Sequence, residues 1–411
     1  MHSDDQTRAS RTPVEQHLHP RPASSDRKQQ RALFEATKDP SLALSYSRLH
    51  STLKAPSIHE VLPLDTLNLL LEGTSFTSSD DEAEKQLEIH LWSPLRHMFG
   101  RPSKNFRKRL VSLGFRLVQS DKRKIKLAPL QDSTLDKAGD LLEMLHLGSL
   151  IIDDIQDGSL ERRGGPALHL TMGMPRALCA GNLLYFRALN ALAALELPAD
   201  VERTLMFAYA NTMEKAHIGQ MLDLSVKAST IDDTSLPPLC EKVALLKTGC
   251  LTAFALKLGA LIGHASPSQI AHVEQFGLTY GMLLQYCDDL GNMTSAQNPA
   301  KRFEDLRQDK PTSLWALVHR LDCDTVAESS QAKKNNSMFK SLKNLTTPSS
   351  LCEQDLLVWL ESARLIPRAR SLLQRDIAQI FSDLSDTQLL SMAALTECQN
   401  MTEELLDAYT T

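Results

Sequence analysis

Two carboxylate clusters set into apolar stretches constrain this chain more than any other feature. The first, Asp153-Asp154-Ile155-Gln156-Asp157, follows Leu150-Ile151-Ile152 and precedes Arg162-Arg163-Gly164. The second, Asp288-Asp289-Leu290-Gly291-Asn292, follows Met282-Leu283-Leu284, about 130 residues later. Ionised carboxylates are costly to bury unless something pairs with them. Residues four apart share one face of a helix, so Asp153 points with Asp157, and Asp288 with Asn292. Like charges this close repel, and a multivalent cation is their natural partner. Hard oxygen donors without His or Cys favour Mg²⁺, which binds through a few carboxylates plus substrate phosphates. The pattern reads as a diphosphate–Mg²⁺ site facing an apolar cavity.

The rest of the chain supplies helices to hold such a site. Helical apolar periodicity recurs over 134–157, 175–197, 199–227, 238–264, 267–294 and 354–381, and 88–119 reads as two short helices broken at Gly100–Pro102. Continuous β-branched runs bounded by turns are nearly absent. The expected fold is all-α: one large helical bundle, residues 60–411, around a central apolar cavity. Residues 1–55 are polar and Ser/Pro/His/Arg-rich, and are expected to be mostly disordered, with a short helix near 29–37. The polar stretch 326–350 is expected to be a mobile surface insertion.

With 411 residues and 42% hydrophobic content, a sizeable core is within reach. The net charge of −5 gives no hint of a nucleic-acid partner. Seven scattered cysteines without metal spacing suit free thiols in a reducing compartment, hence a cytoplasmic location. No continuous apolar run reaches the roughly 18 residues that span a bilayer, and the N-terminus lacks the apolar core of a secretory signal.

Further residues stand out around the clusters. Adjacent Arg162 and Arg163 suit phosphate, which a guanidinium grips in a bidentate fork. Lys104 and Arg107 belong to a basic helix start, a common surface feature. His146 lies seven residues before Asp153, two turns back on the same face, which sets it apart from an ordinary core histidine. Lys247-Thr248-Gly249 is short and nonspecific, yet a lysine among Leu and Ala in mid-helix must reach something. A helix interrupted there would present both the ammonium and the hydroxyl. The run His217-Ile218-Gly219-Gln220-Met221-Leu222-Asp223 reads equally well as structure or as cavity lining.

Taken together these residues resemble the trans-isoprenyl diphosphate synthases, most closely the animal and fungal geranylgeranyl diphosphate synthases. Leu145-His146 through Asp157 and Arg162-Arg163-Gly164-Gly165-Pro166 resemble the family's first aspartate-rich motif, and Gln285-Tyr286-Cys287-Asp288-Asp289-Leu290-Gly291-Asn292 its second. Most of the family has Asp where Asn292 stands; the animal and fungal branch has Asn. Glu304-Asp305-Leu306 and Lys310 resemble a Glu-Asp-Leu-x-x-Gly-Lys segment, with Asp309 in place of the glycine. The resemblance runs from about residue 90 to 320.

The resemblance implies condensation of isopentenyl diphosphate with an allylic diphosphate. It implies Asp153, Asp157 and Asp288 as Mg²⁺ ligands, with three ions when substrate is bound, and Asp154 and Asp289 as further members of the catalytic clusters. Arg162, Lys247, Thr248, Gln285, Asn292, Lys301 and Lys310 would serve the allylic diphosphate; Lys104, Arg107, His146 and Arg163 would serve isopentenyl diphosphate. It also implies a homodimer or higher homo-oligomer. Gly148 and Ser149, five and four residues before Asp153, are small where short-chain members carry aromatic rings, so a C20 or longer product is expected. Three other readings stay open: a class I terpene cyclase, which needs no second diphosphate pocket; a noncatalytic partner subunit, which would have lost metal ligands; and a pure binding module, which would not need so many polar residues along an apolar core.

Overall fold

The computed structural model describes residues 81–101, 106–119, 129–294, 302–328, 337–346 and 351–410, all within the unit His59–Thr411. The expected extension over 1–55, and both Lys104 and Lys301, lie outside them. The described residues are almost wholly helical. In chain order the helices are α1 (Asp81–Leu87), α2 (Ser93–Phe99), α3 (Phe106–Leu117), α4 (Pro129–Asp157), α5 (Leu168–Met172), α6 (Met174–Ala193), α7 (Ala199–Ser225), α8 (Leu236–Ala244), α9 (Cys250–Ile262), α10 (Pro267–Thr294), α11 (Glu304–Arg307), α12 (Leu314–Glu328), α13 (Met338–Leu345), α14 (Glu353–Ser362), α15 (Leu365–Asp386) and α16 (Met392–Thr410). π-helical turns join α1 to α2 (Glu88–Trp92) and α8 to α9 (Leu245–Gly249). A two-stranded hairpin, β1 (Glu161–Arg162) and β2 (Gly165–Pro166), follows α4.

Four of the helices carry proline at or next to their first residue. Pro129 and Pro267 open α4 and α10, and Pro175 and Pro237 stand in the first turns of α6 and α8. Proline is suited to these places because its φ is already helical and its missing N–H would have no intrahelical partner there. The core is aliphatic and runs between α3, α4, α6, α9 and α10. Some of these helices pack closer than side chains ordinarily allow. A Cβ on Gly259 of α9 would sit 1.9 Å from the Val111 carbonyl oxygen of α3, and one on Gly114 of α3 would sit 2.0 Å from the Leu256 oxygen of α9. Only glycine lets the two backbones meet at these points.

Three expectations are revised. The stretch 326–350 is not uniformly a surface segment: Met338–Leu345 is a helix with Met338, Phe339 and Leu342 buried. Its apolar residues recur at helical spacing, so they share a face that packs on α12, where Phe339 meets Trp315 edge-on at 5.6 Å. The segment expected at 354–381 is two helices, broken where Arg364 adopts a left-handed φ of 50°. Leu236–Ile262 does contain a window apolar enough to cross a membrane, but 67% of that window is buried, as in the core helix of a bundle.

Gly259→Ala should therefore lower the unfolding free energy by at least the ~1–3 kcal/mol typical of overpacking, because the added methyl meets backbone that cannot rotate away. Chemical denaturation of the variant against wild type measures it, and an unchanged midpoint would contradict the close approach.

Candidate active site

The two aspartate clusters end α4 and α10, and within each the residues divide by exposure. Asp153, Asp157 and Asp288 reach solvent or the cavity, whereas Asp154 and Asp289 are buried. Asp154 is fully buried, and its Oδ1 accepts from Arg162 Nε at 2.8 Å and NH2 at 2.5 Å. Asp289 accepts from the hydroxyl of Thr312, from Ser313 Oγ at 2.6 Å and from Gln285 Nε2 at 2.9 Å. Burial pushes both carboxyls above their ordinary range. As expected from the sequence, the metal-ligand candidates are the outward-facing Asp153, Asp157 and Asp288; Asp154 and Asp289 face protein partners. Asp154 and Asp289 fasten Arg162 and the Thr312–Ser313 turn to the two helices.

Lysines hold the exposed aspartates of the first cluster. Lys247 Nζ is 2.7 Å from Asp223 Oδ2 and 3.8 Å from Asp153 Oδ1. Lys310 Nζ is 2.9 Å from Asp157 Oδ1 and 3.8 Å from Asp223 Oδ2. Burial alone would push both ammoniums down. For each, Asp223 with Asp153 or Asp157 outweighs it, and both pKa values lie above the ordinary one. Gln220 Nε2 adds a hydrogen bond to Asp153 at 3.0 Å. Asp223 and Gln220 come from the run on α7 that the sequence left undecided, and they belong to the site.

Lys247 reaches this position because the helix does break there. The π turn Leu245–Gly249 inserts the extra backbone that turns Lys247 and Thr248 inward. It is nested between glycines: a Cβ on Gly219 of α7 would lie 2.8 Å from Lys247 N, and one on Gly281 of α10 would lie 2.6 Å from the Gly249 Cα. Thr248 Oγ1 donates to Gln285 Oε1 at 2.6 Å, which orients the amide whose other end holds Asp289.

Next to this arc opens a cavity of about 480 Å³. Arg107, His146, Arg162 and Arg163 line one part; Lys247, Thr248, Gln285 and Asp288 line another; Leu110, Leu150, Leu251 and Leu284 lie between. Burial draws the Arg107 guanidinium down to about 10, still charged at neutral pH. Burial, reinforced by Arg107, Arg163 and Arg162, pulls His146 well below its ordinary value, so it stands as a neutral imidazole among arginines. Arg163 adopts a left-handed φ of 53° in the hairpin turn, and Arg101 NH1 clamps that hairpin through the carbonyls of Arg162 at 2.8 Å and Pro166 at 2.9 Å.

Three further residues of the site had no sequence signal. Arg101 reads as an ordinary surface arginine. Glu143 is buried, borders the cavity beside Arg107 and Arg163, and its Oε1 has no hydrogen-bond partner among the described residues. Tyr409, from the far C-terminal helix, lines the cavity and donates its hydroxyl to Asp288 Oδ1 at 3.1 Å.

Gly148 and Ser149 do not line the cavity. A Cβ on Gly148 would lie 2.9 Å from the Gly181 oxygen and 3.2 Å from Tyr185 Cε1, so Gly148 is where α4 meets α6. Ser149 Oγ donates to the His146 carbonyl at 2.7 Å. Asn292 stands one turn past Asp288 and accepts the Phe303 N–H on its carbonyl at 3.2 Å; it borders neither the cavity nor the lysine arc. Apart from these, and from Lys104 and Lys301, the residues singled out in the sequence come together here.

Comparison with known proteins agrees with this arrangement. The profile of the Polyprenyl synthetase family matches residues 89–346. A geranylgeranyl pyrophosphate synthase of Aspergillus fumigatus, spyE, is 28% identical over 328 residues, covering 77% of this chain and 82% of its own. The crystal structure of a geranylgeranyl pyrophosphate synthetase from Pyrococcus horikoshii shares the fold at 21% identity and a TM-score of 0.60, over 79% of this chain and 94% of its own. So does that of a polyprenyl synthase from Caulobacter crescentus, complexed with calcium and isoprenyl diphosphate, at 19% identity and a TM-score of 0.52, over 87% of this chain and 98% of its own. The chain belongs to the polyprenyl synthetase family, the trans-isoprenyl diphosphate synthases.

Proposed function

We propose that this protein condenses isopentenyl diphosphate with an allylic diphosphate to make an all-trans prenyl diphosphate of C20 or longer. The observation that carries the reading is a single cavity bordered by two separate cationic sets. Arg107, Arg163 and neutral His146 suit one diphosphate; Lys247, on the same cavity wall as Asp288 and 3.8 Å from Asp153, suits another, with Lys310 behind it against Asp157 and Asp223. A terpene cyclase needs only the second set, and a noncatalytic subunit would need neither aspartate cluster.

The donors fit a hard divalent cation. Asp153, Asp157 and Asp288 offer oxygens, with no thiolate or imidazole among them. Among the described residues no group of three or more metal-binding side chains stands preassembled. That suits Mg²⁺, which takes one or two carboxylates and completes its shell with water and substrate phosphates; we assign three such ions to the loaded site. Bound there, Mg²⁺ would supply the charge neutralisation that makes the allylic diphosphate a leaving group. Lys247 and Lys310 add donors to that diphosphate as its charge grows. Arg107, His146 and Arg163 hold isopentenyl diphosphate with its double bond toward the allylic C1. The C1–O bond breaks, C4 of isopentenyl diphosphate bonds to C1, and a proton leaves C2 for the departing diphosphate. Leu110, Leu150, Leu251 and Leu284 keep water from the cation formed between these events.

The family's oligomeric habit fits the surface of α6 and α7, where Leu178, Phe186, Phe207, Ile218 and Met221 are exposed together. We assign this face to contact with a second copy. We assign the product floor to the contact of α4 with α6, just outside the present cavity lining. Tyr185 packs on Gly148, feels the charge of Asp153, and meets His217 edge-on at 5.6 Å. These rings, not a vacancy at Gly148, would stop the growing chain.

Incubation with labelled isopentenyl diphosphate and each allylic primer tests the reading directly. Wild type should elongate C15 farnesyl diphosphate to C20, while Asp153→Ala and Asp288→Ala should lose turnover and keep their helical spectra. Hydrocarbon formed from geranylgeranyl diphosphate alone would instead make it a cyclase. Tyr185→Ala should shift the product distribution beyond C20; an unchanged distribution removes Tyr185 from the floor. Phe207→Asp should drive the protein toward monomer in sedimentation equilibrium, and an unchanged mass would place the interface elsewhere.

A further inference from the structure

Asp309 stands where the related segment carries glycine, and its backbone shows why glycine suits the place: φ is 57°, in the left-handed region. Asp is among the few other residues that visit it. Here its side chain does what glycine cannot. Asp309 Oδ1 accepts the Ser229 N–H at 2.9 Å, and Oδ2 accepts the Ser229 hydroxyl at 2.5 Å. The backbone joins in, since the Ala228 N–H donates to the Asp309 carbonyl at 3.0 Å. Lys227 Nζ donates to the Gln308 carbonyl, also at 3.0 Å. Four bonds thus tie the two residues before Lys310 to Lys227, Ala228 and Ser229, at the turn two residues past the end of α7. That helix carries Asp223, and Lys310 lies between Asp223 and Asp157.

We infer that Asp309 is a positioning residue: its carboxylate latches the Lys310 segment to the turn after α7 and so sets where the Lys310 ammonium meets the allylic diphosphate. The inference rests on the reading of Lys310 given above. Glycine at 309 would relax the backbone but leave both Ser229 donors without their acceptor, and the ammonium would sample a wider range. Asparagine tolerates the same φ, accepts the Ser229 N–H on its carbonyl oxygen and can donate to Ser229 Oγ. The latch is remote from Arg107, His146 and Arg163, so isopentenyl diphosphate should not feel it.

The test uses the full chain with Asp309→Gly, Asp309→Asn, Ser229→Ala and Lys310→Ala. Each KM is measured with the other substrate saturating, and equilibrium binding of a non-reactive farnesyl thiodiphosphate is measured alongside. Asp309→Gly should raise the farnesyl diphosphate KM and weaken the analogue by about 3- to 10-fold, the equivalent of one or two neutral hydrogen bonds. The KM for isopentenyl diphosphate should stay within about twofold. Ser229→Ala should reproduce part of the loss, and Asp309→Asn should recover most of it. A wild-type farnesyl diphosphate KM in Asp309→Gly would overturn the inference, as would equal changes in both KM values without recovery in Asp309→Asn. Lys310→Ala separates the two levels. If it weakens the analogue while Asp309→Gly does not, only the latch fails. If Lys310→Ala itself leaves the analogue's affinity unchanged, the reading of Lys310 fails and the latch with it.

Discussion

Asp153, Lys247, Asp223, Lys310 and Asp157 form an alternating arc of charge, with successive oxygen–nitrogen separations of 3.8, 2.7, 3.8 and 2.9 Å. Three carboxylates and two ammoniums leave one formal negative charge, so the arc is nearly neutral although it sits on partly buried helix faces. A carboxylate pair on one helix face would otherwise repel and carry a desolvation cost. Much of the fold follows from bringing these five residues together. The π turn exists between α7 and α10 because Lys247 must leave the regular helical track. Gly219 and Gly281 are needed because that turn takes more room than an α-helical one. The left-handed residue at Asp309 directs Lys310 back toward α4 and α7.

Pairing to protein cations also separates two kinds of aspartate within one motif. Asp154 is engaged through Oδ1 by Arg162, and Asp289 through both oxygens by Thr312, Ser313 and Gln285, and both lie out of water. Asp157 is held by the Lys310 ammonium, and Asp153 by a Gln220 amide and by the more distant Lys247 and Arg162, and the lysine ammoniums can turn toward a phosphate instead. A lysine is a compact charge on a four-carbon stem and shifts partner at small cost, whereas a guanidinium bonded through two nitrogens to one carboxylate does not. The doubled aspartate is therefore a division of labour: one residue faces substrate, and its neighbour fixes the loop or turn that must stand beside it.

How far this was legible in sequence depends on whether a residue's role is local. The aspartate faces and the helix irregularity at Lys247 follow from spacing along single helices, and the structure contains them; that Arg107, His146 and Arg163, from three different elements, meet at one cavity was implied only by the family resemblance. Gly148 was misjudged because periodicity says which residues share a face, not what packs against it; the small residue admits α6 and does not leave a vacancy. The helix Met338–Leu345 was hidden by a polar composition, although Met338, Phe339, Leu342 and Leu345 keep helical spacing. Asp223 had a motif but no partner until Lys247 and Lys310 were seen beside it. Arg101, Glu143 and Tyr409 act across long sequence separations, and nothing local marks them.

Tyr409 illustrates what such a distant residue changes. Its ring stands where a Cβ on Gly291 would be only 2.5 Å away, so the glycine of the second aspartate motif is what lets α16 lie against α10. Its hydroxyl then reaches Asp288, the one aspartate of that motif open to solvent. Lysines stand against the first cluster; Asp288 of the second receives a neutral phenol, whose own ionisation burial and Asp288 both oppose, and shares the cavity wall with Arg107. The two halves of the site are thus unequal among the described residues: two lysines stand against the first cluster and none against Asp288. On the reading proposed above, that difference would bias how a diphosphate and its cations enter, with the phosphates toward Lys247 and Lys310.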